Sequence, residues 1–344
     1  MNVKDWIKNT ALFRIYCECM IWRIEKKRFL DEINSAEISI SEKKAYLRTL
    51  RDYRISPSEY FYQYKFYNLA EVERKEFIMR SEMQKVYRRL VLPSVRPYFL
   101  YKALFLKTHS DLIKRRWLVA NECANIEELI YLITSVDTIV KPIEGSLGTG
   151  VYKIRCEDVG DNALKICDAL MKDRVLIEEC IVATEEIQSF HPSSLNTIRV
   201  VTFSNESKAE ILGAFIRFGR NGSVVDNAHA GGIFATIDVN TGYVISNGLD
   251  TNGNEYTSHP DSQKIIKGFI IPHWNEIKNT CLKATRIVPG LRFAGWDCVV
   301  LPNGEIDIVE GHHGPDVDVM QSPLKIGIRG LIESKLKEYF NYTL

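Results

Sequence analysis

Asp297, Glu310 and His312 are the residues whose types and spacing most readily suggest chemistry. They lie in Phe293–His313, FAGWDCVVLPNGEIDIVEGHH. Two apolar runs flank Pro302-Asn303-Gly304, which is turn chemistry, so the stretch predicts a β-hairpin. Asp297 falls in the first strand and Glu310 at the close of the second. Glu310 and His312 share the parity that keeps side chains on one face. Asp307 differs in setting, because Ile306 and Ile308 on either side of it face away. Two carboxylates on adjacent strands suit Mg²⁺, a hard cation that shares oxygen ligands with substrate phosphates. An ordinary amphipathic hairpin with scattered surface acids would read the same way.

Other elements must position such a metal. Asp137–Pro142 is the first convincing strand, and it runs into Glu144-Gly145-Ser146-Leu147-Gly148-Thr149-Gly150. Three glycines in six positions let backbone amides approach closely, as a phosphate-cradling loop requires. The loop is not a P-loop, because Val151 follows the last glycine where Lys and Ser/Thr would stand. A mobile hairpin turn is the plainer alternative. Val175–Ile181 reads as a further strand with acids at its end. Ile198–Phe203 is a Val/Ile-rich strand carrying Arg199, and an unpaired charge there would be costly. That arginine needs an anionic partner, either a carboxylate or a phosphate. The next strand, Ile211–Phe218, again places a base, Arg217, on an apolar run.

The hairpin resembles the metal-binding hairpin of ATP-grasp enzymes, in which an Asp on one strand precedes Glu-x-Asn on the next. Here the Asp and Glu stand 13 residues apart, and Glu310-Gly311-His312 replaces Glu-x-Asn. Imidazole suits Mn²⁺ or Zn²⁺ better than Mg²⁺. Leu195–Thr202, the Asp226-Asn227-x-His229 cluster and Gly231-Gly232 resemble the sugar-transfer-associated branch, found with surface-polysaccharide genes. The resemblance runs over about residues 100–330 and implies an α+β ATP-grasp fold, two α+β subdomains clamping ATP behind an N-terminal helical region. The expected units are 1–95 (helical), 96–184 (smaller subdomain with the glycine loop) and 185–344 (larger subdomain with the metal site).

By the same resemblance, Lys107 and Lys141 reach ATP phosphates, and Gly145, Ser146, Gly148, Thr149 and Gly150 form the loop over them. Glu178, Glu179, Ile181 and Glu186 line the adenine and ribose site, with Glu179 and Glu186 or Glu178 and Glu185 as the purine–ribose pair. Arg199, as a phosphate contact, Arg217 and Asn227 serve the reacting centre; Asp297 and Glu310 hold the metal, with His312 as a third ligand, a group oriented toward a carboxylate, or a substrate contact. The implied cofactors are ATP and Mg²⁺, with Mn²⁺ as an alternative. The implied activity is carboxylate–amine ligation through an acyl phosphate. Its substrates would be a uronic acid or other glycan-linked acid and an amine or amino acid. A sugar or alcohol kinase, or a non-catalytic nucleotide-binding partner of a glycosyltransferase complex, is the rival expectation.

Composition bounds the rest. The chain has 344 residues, 45% of them apolar, enough to bury a sizeable core. Net charge is +1, which argues against nucleic acid as a partner. Residues 1–96 carry 20 Lys+Arg against 13 Asp+Glu, a basic front that suits an acidic glycan, a partner protein or plain solvated helix faces. This region is helical in character, with Ser56-Pro57-Ser58-Glu59 as a helix start and a dense aromatic series from Tyr60 to Tyr67. The eight cysteines form no CxxC pair, and no run approaches the roughly 20 apolar residues of a membrane span. A soluble cytoplasmic protein is expected, as a homodimer or in association with polysaccharide-synthesis proteins.

Overall fold

The computed structural model describes residues 11–122, 126–143, 150–224, 226 and 231–344. It is an α+β chain with two antiparallel sheets. The smaller sheet contains β1 (Trp117–Val119), β2 (Thr138–Pro142), β3 (Tyr152–Ile154) and β4 (Val175–Glu179), in the order β1-β4-β2-β3. The larger contains β5 (Ile198–Ser204), β6 (Ala209–Phe218), β7 (Ile233–Ile237), β8 (Gly248–Leu249), β9 (Glu255–Tyr256), β10 (Phe293–Val300) and β11 (Ile306–His312). Its order is β11-β10-β5-β6-β7-β8-β9. The β-branched runs at 138–140, 198–202 and 299–300 form central strands because their stiff side chains pack on a pleated surface.

Both faces of the larger sheet are covered near its middle. On one face, the helix Trp274–Ile287 buries Ile277, Cys281 and Ala284 against Val200, Ile216, Trp296 and Cys298. On the other, the helices Arg80–Leu90 and Arg329–Phe340 bury Met83, Val86, Ile332 and Leu336 against Phe203, Phe215 and Phe293. Gln321 ties the residues leading into these two helices together: its amide donates to the Ile78 carbonyl at 2.9 Å and accepts the N–H groups of Ile78 and Ile328 at 3.0 and 3.2 Å. A separate cluster joins the first helices, Ala11–Ser35 and Ile40–Tyr53, to the aromatic series. Tyr60, Tyr64 and Phe66 are core, whereas Tyr62 and Tyr67 stay exposed. Ser56 does cap a helix start, with Glu59 N–H donating to its Oγ at 3.2 Å and Ser56 N–H donating to Glu59 at 2.8 Å. Among the described residues, no helix is long and apolar enough to cross a membrane.

Candidate active site

The hairpin forms as its turn residues dictate. Gly304 takes a positive φ of 84° in the turn, and β10 pairs with β11 so that Asp297 stands directly opposite Glu310. On its other side β10 pairs with β5, and there Asp297 stands opposite Arg199. One row across three strands therefore reads Glu310, Asp297, Arg199, with Arg217 of β6 diagonally beyond it. Close cross-strand neighbours of opposite charge attract. Arg199 Nε and Nη2 grip both Asp297 oxygens, the second at 2.7 Å, and Arg217 Nη2 donates to Oδ2 at 2.7 Å. The anionic partner that Arg199 meets is this carboxylate, rather than the phosphate the resemblance led us to expect.

Burial alone would push the Asp297 carboxyl up, but Arg199 and Arg217 overcome it and hold the group well below the usual carboxylate range. Arg217 also lies 3.7 Å from Asp226, which accepts from the Thr197 N–H at 2.7 Å. Asp226, named in the sequence only as part of the Asp226-Asn227-x-His229 motif and given no role of its own, is thus a member of the charged cluster. Asn227, beside it, lies outside the described residues, as do Gly145, Ser146, Gly148 and Thr149. Gly150 is described, with a φ of 74°.

His312 brings an unpartnered nitrogen to the row. Its Nε2 is buried and makes no hydrogen bond, yet it lies 3.5 Å from Asp297 Oδ2 and 3.7 Å from Glu310 Oε2. The three ligand atoms fall within 4.8 Å of one another. Two carboxylates and an imidazole nitrogen converging in this way, with Glu310 free of the arginines that hold Asp297, fit a divalent cation.

Gly311, between Glu310 and His312, has a packing role. A Cβ there would sit 2.8 Å from both Phe99 and Phe105, so glycine lets the helix Lys102–Thr108 lie close to β11. That approach brings in Lys102, which donates to the Pro142 carbonyl at 3.1 Å. Burial lowers its pKa, with Glu310 and Glu178 raising it and Lys141 lowering it further. Lys107, on the same helix, instead forms an exposed pair with Glu122 at 2.9 Å. Lys102 is therefore the lysine of this helix that stands among the charged groups.

Lys141 of β2 pairs with Glu178 of β4, whose other oxygen takes Arg115 Nη2 at 2.7 Å. Arg115 also pairs with Asp307 of β11 and donates to the carbonyls of Ile308 and Val309 at 3.1 and 3.0 Å. Asp307 in turn accepts the N–H groups of Lys114 and Arg115 at 2.7 and 2.8 Å. One buried guanidinium thus joins the two sheets and fixes the glutamate that aims Lys141. Glu179 pairs with Arg116 at 3.2 Å, Ile181 is partly buried at the end of this strand, and Glu186 is exposed on a short helix, Glu185–Gln188.

Burial raises the Glu178 carboxyl and the two cations more than offset this, bringing it from 4.5 to about 2. A depressed carboxyl stabilises the fold fully above its unfolded pKa, and that stability is lost as pH falls from about 4.5 through about 2. At about 1.4 kcal/mol per unit, this contributes roughly 3 kcal/mol. Urea titrations of wild type and Glu178→Gln should therefore differ most at pH 6 and converge by pH 2. Curves that stay parallel over that range would contradict the assignment.

The chain belongs to the sugar-transfer associated ATP-grasp family, whose model matches residues 81–335. No curated protein matches it. Among solved structures it is similar to the ATP-grasp ligase PsnB complexed with minimal precursor, Mg and ADP. The identity is 15% and the TM-score 0.45, over 76% of this chain and 67% of that one. It is also similar to a biotin carboxylase from Campylobacter jejuni at 12% identity and TM-score 0.46, over 73% of this chain and 48% of that one. A third is a D-alanyl-alanine synthetase A from Vibrio cholerae O1 biovar eltor str. N16961, at 12% and 0.39, over 71% and 62%.

Proposed function

We propose that the chain is an ATP-dependent carboxylate–amine ligase working through an acyl phosphate. The acid would be a uronic acid or another glycan-linked carboxylate. The observation that carries this reading is the single row Glu310–Asp297–Arg199, with His312 beside it; Lys102, with Glu310, Glu178 and Lys141 as charged neighbours, and Lys141, paired with Glu178, support it. The sugar-transfer association of the family favours a sugar acid.

Asp297, Glu310 and His312 would hold Mg²⁺ or Mn²⁺. When bound, that ion supplies charge neutralisation for the nucleotide's phosphates. Lys141, positioned by Glu178, and Lys102 donate to phosphate oxygens. Arg199 and Arg217 keep Asp297 ionised and place positive charge beside the reacting acid. The acid's carboxylate oxygen attacks the γ-phosphorus, forming the acyl phosphate as the bond to ADP breaks. The amine nitrogen then attacks the acyl carbon, phosphate leaves with the electron pair of the broken C–O bond, and the amine loses one proton. Positioning and charge account for the catalysis, and the scheme needs no side-chain nucleophile.

ADP release should require an acid and an amine together. Free and methyl-glycosidic glucuronic and galacturonic acids, each with ammonium, glycine or lysine, form the first panel. ADP release matched by a phosphorylated alcohol, with no amide, would replace ligation with kinase chemistry. Losing one charge-assisted contact costs about 1.5–3 kcal/mol, so Lys141→Ala and Lys102→Ala should each weaken ATP binding roughly 10- to 150-fold. Lys107→Ala should leave it within about twofold, as expected for a surface pair. Calorimetric titration with ATP checks all three, and equal losses at 102 and 107 would reverse the assignment.

A further inference from the structure

A second convergence of ligand-type groups lies outside the row, at His191, His259 and Asp261. His191 precedes β5, while His259 and Asp261 follow β9. Both imidazoles are buried, at 3% and 0% exposure. His191 Nε2 lies 2.9 Å from the Ser223 carbonyl and His259 Nε2 lies 2.8 Å from the Gly219 carbonyl. A carbonyl only accepts, so each Nε2 carries a proton, and in the neutral rings each Nδ1 is a lone pair. Carbonyl partners of this kind set the tautomer and orientation of metal-binding histidines.

Both lone pairs turn toward Asp261. His191 Nδ1 lies 3.0 Å from Asp261 Oδ2, and His259 Nδ1 accepts a long 3.3 Å bond from the Asp261 N–H. Asp261 Oδ2 also accepts from the Asn221 N–H at 2.8 Å. A lone pair facing a carboxylate at 3.0 Å needs a cation between them, either a second proton on His191 or a metal. The His259 lone pair cannot help a proton there, but it can complete a metal site, and the three ligand atoms lie within 4.8 Å of one another. Zinc bonds of about 2.0–2.2 Å in a tetrahedron put neighbouring ligand atoms roughly 3.3–3.6 Å apart, so the His191–Asp261 pair at 3.0 Å would open slightly to take the ion.

The surroundings are built for these rings. A Cβ on Gly219 would sit 2.8 Å from His191 Cδ2 and 2.4 Å from Ser194 Oγ, so glycine there admits the imidazole. Phe190 and Phe218 hold the His259 ring edge-on, at centroid distances of 6.4 and 5.8 Å.

We propose that His191 Nδ1, His259 Nδ1 and the Asp261 carboxylate form a tetrahedral site for a zinc-type transition metal, with water as the fourth ligand. The ion would fasten the segments before β5 and after β9 to Gly219 and Ser223 through their carbonyls. Three residues beyond Ser223 stands Asp226, which accepts from Thr197 and faces Arg217. The site is therefore a positioning device for the charged row, and it stands whether or not the chain is a ligase.

The test is a Co²⁺ titration of chelator-stripped full chain carrying Glu310→Ala and His312→Ala, which remove two of the three ligand groups of the first cluster. One equivalent should bind with the strong visible absorbance of tetrahedral Co²⁺ and be displaced by Zn²⁺. Adding Asp261→Asn, at an exposed position, should weaken binding by more than the roughly 10–100-fold that losing an outer-shell partner costs. Asp261→Cys should retain the ion and add a sulfur-to-cobalt charge-transfer band. No tetrahedral uptake in the silenced background would overturn the proposal and leave an imidazolium–carboxylate pair. Uptake indifferent to Asp261→Asn would overturn it equally.

Discussion

Asp297→Asn should lower turnover by at least about 1000-fold while the chain stays folded. The change keeps the volume of the side chain and removes its charge at the centre of the row. Asp297 faces Glu310 on one strand and Arg199 on the other, and Arg217 reaches the same oxygen. Without the carboxylate, a divalent ion loses a ligand, and the loss appears where phosphoryl charge develops. Removing one charge-stabilising group of this kind costs about 10²–10³ in rate, and here two arginines also lose the anion that orients them. Glu310→Gln, at a more exposed position, should lose turnover with a smaller effect on stability. Measuring kcat alongside the circular-dichroism melt separates the two effects. An Asp297→Asn enzyme within tenfold of wild type would remove the row from catalysis.

The largest expected effect on stability is at Arg115. Arg115→Met would leave Glu178 and Asp307, both essentially without solvent exposure, lacking the guanidinium that neutralises them. Removing one partner of a buried ion pair costs about 3–5 kcal/mol, because an uncompensated charge remains inside. Arg115→Lys should recover little, since an ammonium cannot serve two carboxylates and the carbonyls of Ile308 and Val309 with one fork. Equilibrium urea unfolding gives both differences. An Arg115→Met chain within 1 kcal/mol of wild type would show that the two sheets are joined by something else.

The parts of this site that were legible in the sequence are the local ones. The hairpin around Asp297 and Glu310 carries its own turn residues and a period-two pattern. The strands bearing Lys141, Glu178 and Arg199 are short β-branched runs, and signals of this kind act over a few residues. Pairings across the chain were not legible. Arg115 meets Asp307 from 192 residues away, and basic residues on either side of it gave no reason to single it out. His191 and His259 are unremarkable in sequence and meet only through the loops around β6 and β9. Lys102 and Lys107 show a subtler limit. Five residues turn a helix by roughly 140°, so two lysines on one short helix face different surroundings, and only the packing at Gly311 decides between them.

Transfer of isotope from acid to phosphate tests the central claim most directly. With a uronic acid labelled with ¹⁸O in its carboxylate, an acyl-phosphate route moves one labelled oxygen into the released inorganic phosphate for each amide formed. That label is expected in equal amount with ADP and amide, and should be lost together with turnover in Asp297→Asn. Amide or ADP formed with unlabelled phosphate would contradict it.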